Sequence, residues 1–478
     1  MILSHGATMS RHVIEDAIPL LEQTRRAAVE FLRSASTRPV APVATVEQLR
    51  RTLSVELTPA GEDASEVIAR IVADADPGLI ASAGPRYFGF VIGGSHPVAV
   101  AADWLTSVWD QNGGLYAAAP AASVMEETAH RWLLDLLDLP RDASAGFVTG
   151  GQMANTTSLT AARHQVLRAA GWNVEELGLQ GAPRVNVILG AEAHATIFSA
   201  LRLIGLGSGT HIAVACDAQG RMQVDSFAEA LSRCEGPTIV CTQAGNVNSG
   251  SFDPIGEISD LAHERGAWVH VDGAFGLWAR ATPQYKPLTA GLERADSWAT
   301  DAHKWLNVPY DCGIAIVANS AAHRASMTVA AAYLEPSAGA ERDALDWVPE
   351  FSRRTRSLPV YATLRHLGRD GVANLVERCC AHAKQFAEVL GAESGVEILN
   401  DVVLNQVMVR FNATGHDSDE LTRAIVRRVQ SDGICWLSGT TWHGVAAMRI
   451  SVSNWSTSEE DVRMSIEAIL SAYRAVSL

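Results

Sequence analysis

Between about residues 120 and 320, short apolar runs alternate with helical stretches, and this alternation constrains the fold more than any other feature of the chain. The runs fall at residues 147–149, 185–189, 238–241, 267–271 and 313–317. A strand covered on both faces reads as a continuous apolar run, and a helix between two such runs carries the chain back to start a parallel neighbour. The pattern therefore predicts an α/β fold with a mainly parallel sheet. In such sheets ligands collect at the carboxyl ends of the strands, so the residues just after each run are the ones to read for chemistry.

The flanks read differently. Residues 10 to 75 are predicted as helices broken at Pro39, Pro42 and Pro59, with Val67, Ile68, Ile71 and Val72 at helical spacing. Their apolar faces have nothing local to cover them, which predicts packing on a second subunit. After about residue 355 longer helices and a few strands, at 406–411 and 447–452, predict a smaller α+β domain. At 478 residues the chain is long for a single core, and the expected division is an arm over 1–95, a large domain over 96–355 and a small domain over 356–478.

A net charge of −15 argues against nucleic acid or an anionic membrane as a main partner. No stretch reaches about 18 uninterrupted apolar residues, so no membrane span is expected. The amino terminus carries no long apolar segment, and no signal peptide is expected. Seven scattered cysteines without a Cys-x-x-Cys pair favour reduced thiols in the cytoplasm over a disulfide framework, and no metal site is expected.

The chemistry-bearing residues follow the predicted strands. The run 268–271 ends on Asp272, followed by Gly273-Ala274-Phe275-Gly276, and 304 − 272 = 32 positions later stands Lys304, within Asp301-Ala302-His303-Lys304-Trp305-Leu306. A lysine amine can hold an aldehyde as a Schiff base, and a carboxylate can keep a pyridine nitrogen protonated so that the ring accepts electrons. The pair therefore points to pyridoxal phosphate. Read alone, Asp272 could instead cap a helix, and Lys304 and His303 could be surface loop residues. Thr149-Gly150-Gly151-Gln152 follows a strand and opens a helix, where backbone N–H groups can meet a phosphate. The alternative there is a plain tight turn. His194 follows another strand and could stack on a flat cofactor, or be structural. No Gly-x-x-x-x-Gly-Lys-Ser/Thr or Gly-x-Gly-x-x-Gly sequence is present.

Taken in order, Thr149-Gly150-Gly151, His194, Asp253, Val271-Asp272-Gly273-Ala274-Phe275-Gly276 and His303-Lys304-Trp305 resemble the group II pyridoxal-phosphate-dependent amino-acid decarboxylases, which include the aromatic-L-amino-acid decarboxylases. The resemblance runs from about Ile80 through Arg449. It implies the type I, aspartate-aminotransferase-like homodimer and decarboxylation of an L-amino acid to an amine and carbon dioxide. It implies that Lys304 forms the Schiff base, Asp272 pairs with the ring nitrogen, His194 stacks on one ring face and Ala274 packs on the other. Thr149, Gly150, Gly151 and His303 would hold the phosphate, with Gln152 next to them and Asn246 near the ring hydroxyl. Phe90, Val91 and Ile92 fall at pocket positions and favour an aromatic or apolar side chain.

Two departures stand out. Gln152-Met153 replaces the family's usual Ser-Glu, and alignment through Trp347 and Arg353-Arg354 puts Ala344 where the aromatic decarboxylases carry a tyrosine that reprotonates the substrate carbanion. Tyr333 or a histidine would then have to supply the proton. Without such an acid, aldol cleavage, transamination or oxidative deamination on the same scaffold stays open, as does a catalytically silent binding protein.

Overall fold

The structure, a computed structural model, describes residues 3–328 and 342–478. The chain divides into two compact units. One is formed by Met1–Tyr87, Ala424–Leu437 and Ser456–Leu478, the other by Phe88–Arg423 and Ser438–Trp455.

The second unit holds a seven-stranded sheet: β1 (Ser144–Val148), β2 (Asn186–Gly190), β3 (Ile212–Val214), β4 (Thr238–Gln243), β5 (Trp268–Asp272), β6 (Ser297–Asp301) and β7 (Gly313–Val317), in spatial order β1-β7-β6-β5-β4-β2-β3. Strand β7 runs antiparallel to both β1 and β6, and every other neighbouring pair is parallel. All five apolar runs read from the sequence are strands of this sheet. β1, β4, β5, β6 and β7 are buried along their whole length, as strands covered on both faces must be.

Strand β6 was not legible as a strand. Its residues Ser297-Trp298-Ala299-Thr300-Asp301 mix polar and apolar positions, yet all are buried, and Ser297 finds its polar partners in the neighbouring strand β5. The Ser297 hydroxyl meets Trp268 Nε1 at 2.9 Å and His270 Nδ1 at 2.9 Å. The parallel strands bring their carboxyl ends to one edge. Thr149, His194, Gln243, Asp272 and Asp301 are thereby collected there, from positions spread over more than 150 residues.

The same unit carries a four-stranded antiparallel sheet of β8 (Val396–Ile398), β9 (Gln406–Phe411), β10 (Ser438–Trp442) and β11 (Val445–Ser451), ordered β10-β11-β9-β8. His443 and Gly444 join β10 to β11 with φ of 49° and 82°. Two consecutive positive φ values make the tight hairpin turn whose twist matches paired strands. Strand β11 is tied to the preceding segments by Ser451 N–H donating to Phe88 O at 3.0 Å and by Asn307 Nδ2 donating to Ser453 O at 2.9 Å.

In the first unit the predicted helices appear as α1 (Leu3–Ser34), α2 (Val46–Leu53) and α3 (Ala64–Ala75). The last two start at side-chain caps on Thr45 and Asp63. On α1, Ile18, Leu21 and Leu32 are all more than half exposed and share one helical face. Among the described residues no helix is long and apolar enough to cross a membrane.

Candidate active site

At the collecting edge of the large sheet lies a cavity of about 200 Å³, lined by Phe90, Val91, His194, Gln243, Gly245, Val247, Asp272, Ala274, Phe275, Lys304 and Arg449. Four residues singled out from the sequence for separate reasons, His194, Asp272, Ala274 and Lys304, thus share one wall.

Lys304 follows β6 in a turn built around Asn307, which is fully buried and adopts a left-handed φ of 57°. The Asn307 side chain donates to the carbonyls of Lys304 at 3.1 Å and Trp305 at 2.9 Å, and its oxygen accepts the Trp455 N–H at 2.6 Å. Gly93 is obligatory nearby, because a Cβ there would come within 2.1 Å of the Lys304 carbonyl. The Lys304 ammonium rests 3.0 Å from Asp301 Oδ2. Asp301 is a carboxylate that the sequence reading passed over. It is 2% exposed, its Oδ1 takes no hydrogen bond, and it lies 3.4 Å from His303 Nε2.

Asp272 ends β5, where Ala274 N–H donates to its Oδ1 at 3.2 Å and Asn155 Nδ2 donates to its Oδ2 at 3.3 Å. His194 caps the helix Ala195–Leu203 through Nδ1, which accepts from the Thr196 N–H at 3.4 Å and lies 2.8 Å from the Thr196 hydroxyl. The ring's remaining proton therefore sits on Nε2. Desolvation by the cavity walls pushes His194 below the ordinary histidine range, with Asp272 opposing. A neutral, flat ring is the form suited to stacking. His303 is likewise pushed down by burial. Its Nδ1 accepts the Cys312 N–H at 3.1 Å, and its ring lies 4.3 Å from that of Tyr310.

The Thr149-Gly150-Gly151 turn stands at the amino end of the helix Gly151–Ala169, whose first N–H groups receive no side-chain cap. A Cβ on Gly151 would come within 2.7 Å of Asp301 Oδ2, and one on Gly150 within 3.1 Å of His303 Cε1. Gln152 points elsewhere, donating to Ser199 Oγ at 3.0 Å. Asn246 does not line the cavity. Its oxygen accepts the N–H groups of Asn248 at 2.8 Å and Ser249 at 3.2 Å, and its nitrogen faces Glu192 at 3.4 Å. Ile92 also stays out of the wall, whereas Phe90 and Val91 form it with left-handed φ of 54° and 59°. Two such non-glycine residues in succession cost on the order of 1–3 kcal/mol each, a strain that clusters at functional sites. Asp253 serves structure: fully buried, it accepts the Met222 and Gln243 N–H groups, each at 2.8 Å.

Gln243, Gly245, Val247 and Arg449 line the cavity without having been singled out from the sequence, and of these Arg449 carries a charge. It comes from β11, is 9% exposed, and donates from one terminal nitrogen to Asn248 Oδ1 at 3.3 Å, while its buried Nε has no hydrogen-bond partner. Burial lowers its pKa from the ordinary arginine value. A buried guanidinium N–H without an acceptor is costly unless an anion arrives to meet it. Ala344, by contrast, lies in a 3-10 turn, Ala344–Trp347, is 3% exposed, and is fixed by Leu345 N–H donating to Gly114 O at 3.0 Å. The side chain at this position carries no ionisable group, so the proton for the substrate carbanion has to come from another residue or from water. Tyr333 lies outside the described residues.

Comparison with known proteins decides the family, because the pyridoxal-dependent decarboxylase conserved domain matches residues 47–412. The chain belongs to the pyridoxal-dependent decarboxylase family. This decarboxylase is a carboxy-lyase whose cofactor is pyridoxal phosphate, on the type I fold. Tryptophan decarboxylase 1 of Oryza sativa subsp. japonica is 29% identical over 427 residues, covering 82% of this chain and 81% of its own. L-2,4-diaminobutyrate decarboxylase of Rhizobium meliloti (strain 1021) is 30% identical over 388 residues, covering 78% and 75%. The crystal structure of Oryza sativa TDC with PLP and tryptamine has a TM-score of 0.88 and 25% identity over the whole of both chains.

The residues present in the decarboxylase fit that cofactor. The glycine turn brings backbone closer to Asp301 and His303 than a Cβ would allow, the uncapped helix N–H groups would receive a phosphate, a buried carboxylate lines the cavity for a ring nitrogen, and a primary amine lines the same cavity.

Proposed function

We propose that this decarboxylase acts on an L-amino acid with an aromatic side chain, releasing the amine and carbon dioxide. The observation that carries the reading is the composition of the cavity wall. Beside His194, Asp272, Ala274 and Lys304 it offers Phe90, Val91, Val247 and Phe275 to the side chain, and its one acidic residue, among the described residues, is Asp272. With Lys304 and Asp272 assigned to the cofactor and Arg449 to the substrate's α-carboxylate, a second amine or second carboxylate would find no further complementary charge in that wall, at a cost of several kcal/mol for an unpaired buried ion.

Bound pyridoxal phosphate supplies an aldehyde for amines and a ring that takes up the electron pair left when the carboxylate departs. Lys304 would contribute the amine that holds the aldehyde, and Asp301, 3.0 Å from that amine, would hold it when it is free. Asp272 would pair with the ring nitrogen. His194 and Ala274 would pack against the ring, and Thr149, Gly150, Gly151 and His303 would hold the phosphate. Arg449 orients the substrate carboxylate with its free Nε–H.

The exposed apolar face of α1 supports a homodimer in which a second copy covers it, and seven unpaired cysteines support a cytoplasmic location. Incubating the holoenzyme with L-tryptophan, L-tyrosine, L-phenylalanine, L-2,4-diaminobutyrate and L-glutamate tests the substrate class. Equal amounts of amine and carbon dioxide from an aromatic substrate are expected. Faster turnover of diaminobutyrate or glutamate, or aldehyde in excess of amine, would overturn the proposal.

A further inference from the structure

Behind Asp272 runs a buried chain of hydrogen bonds whose direction is fixed from end to end. It starts at Trp268, whose indole Nε1 can only donate and does so to Ser297 Oγ at 2.9 Å. The Ser297 hydroxyl hydrogen is then available to His270 Nδ1, 2.9 Å away. His270 is fully buried, and desolvation pushes its pKa down to about 3, so the ring is neutral and its single proton sits on Nε2. That proton goes to Asn155 Oδ1 at 2.9 Å. The Asn155 amide is thereby oriented with its nitrogen toward Asp272, to which it donates at 3.3 Å. Reversing the amide would press an oxygen lone pair against a carboxylate and leave the His270 proton without an acceptor.

Asn155 is 1% exposed and His270 and Ser297 are fully buried, so water cannot replace any link. With Ala274 N–H on Oδ1, both Asp272 oxygens already accept hydrogen bonds, which fixes the orientation of the carboxyl group. We infer that Asn155 and His270 are positioning residues, which hold the Asp272 carboxylate as an oriented acceptor for the proton on the cofactor's ring nitrogen. The inference rests on the pyridoxal-phosphate reading of the site and extends it to two side chains that touch neither cofactor nor substrate.

The test uses holoenzyme loaded with pyridoxal phosphate labelled with nitrogen-15 in the ring. Asn155→Leu is expected to move the ring-nitrogen signal from the protonated toward the neutral position and to lower kcat by about ten- to a hundredfold, as loss of an outer hydrogen-bond partner does elsewhere. The substrate KM should stay within about threefold, because no substrate contact is removed. His270→Phe should act in the same sense. His270→Gln, whose amide can still donate to Asn155, should restore most of the signal and of kcat. Asn155→Ala serves if the leucine variant does not fold. An unmoved ring-nitrogen signal in the Asn155 variants, whether or not kcat falls, would overturn the inference, as would a His270→Gln enzyme no better than His270→Phe. Wild-type protein that forms no Schiff base with the cofactor at all would instead sink the underlying reading of Lys304.

Discussion

Arg449 shows how one buried side chain can set what a cavity accepts. Its Nε is buried and without a partner beside Lys304, and its Asn248 contact is to a neutral oxygen, so the site lacks an anion that an amino-acid carboxylate would provide. A hydrogen bond to a charged group is worth about 1.5–3 kcal/mol. Arg449→Gln should therefore raise the substrate KM about ten- to a hundredfold, while inhibition by the product amine, which lacks the carboxylate, stays within about twofold. Equal weakening of amine and amino acid would show that Arg449 shapes the cavity without reading the carboxylate. Lys304→Ala should abolish the visible Schiff-base band and borohydride fixation of the cofactor, since no other lysine lines the cavity among the described residues. A reduced adduct mapped to Lys286 would reassign the site. Ala344→Tyr tests the opposite kind of residue. At a position 3% exposed and packed in a fixed turn, a phenol ring overfills the core and should destabilise the protein by at least about 1–3 kcal/mol without changing the ratio of amine to aldehyde. A changed ratio in a stable variant would return Ala344 to the chemistry.

Among the elements, the end of β4 depends on Asp253, which ties Gln243 of that strand to Met222. Burial pushes the Asp253 carboxyl up to about 6. Because the folded-state value lies above the unfolded one, the folded protein binds the proton more tightly, and the resulting stabilisation is present below the unfolded pKa of 3.8 and lost as pH rises through about 6. Relative to Asp253→Asn, wild-type stability should accordingly fall between pH 4 and 6 by at most about 3 kcal/mol and be level above about pH 7. Denaturant titrations of both proteins at several pH values would show it, and a stability difference that stayed constant or rose over that interval would contradict the assignment. The same elements mark what a pattern can and cannot reveal. The five apolar runs were readable because a strand buried on both faces must be apolar, whereas β6 was not, because Ser297 is a polar residue buried against Trp268 and His270, which lie elsewhere in the sequence.

At the scale of the whole molecule, the arm raises the question of assembly. Ile18, Leu21 and Leu32 line one exposed face of α1, and Ile71 and Val72 are exposed on α3. Apolar surface of this kind is normally covered in the functional state. Full-length protein should therefore sediment as a dimer at micromolar concentration, and deletion of residues 1–75 should give insoluble or inactive protein. A monomeric, fully active deletion variant would contradict a role for the arm in assembly.

The sequence by itself determined the α/β class, five of the seven strands that build the sheet, and the pair of Lys304 and Asp272. Each depends on local pattern: apolar runs of strand length, or reactive groups placed immediately after them. Only the tertiary structure decided which groups share the cavity. Arg449 stands 449 − 304 = 145 positions beyond Lys304 on a different sheet, and neither its spacing nor its neighbours mark it. Asp301 could be judged only once its burial against Lys304 and His303 was visible. Asn246 and Ile92 sit near the right segments but do not line the cavity, and the enclosure of Ala344 in a 3-10 turn was visible only in the fold. A strand's pattern follows from how it is buried, which every residue in it records. The direction of one side chain follows from contacts made by residues hundreds of positions away, and no local run of sequence contains them.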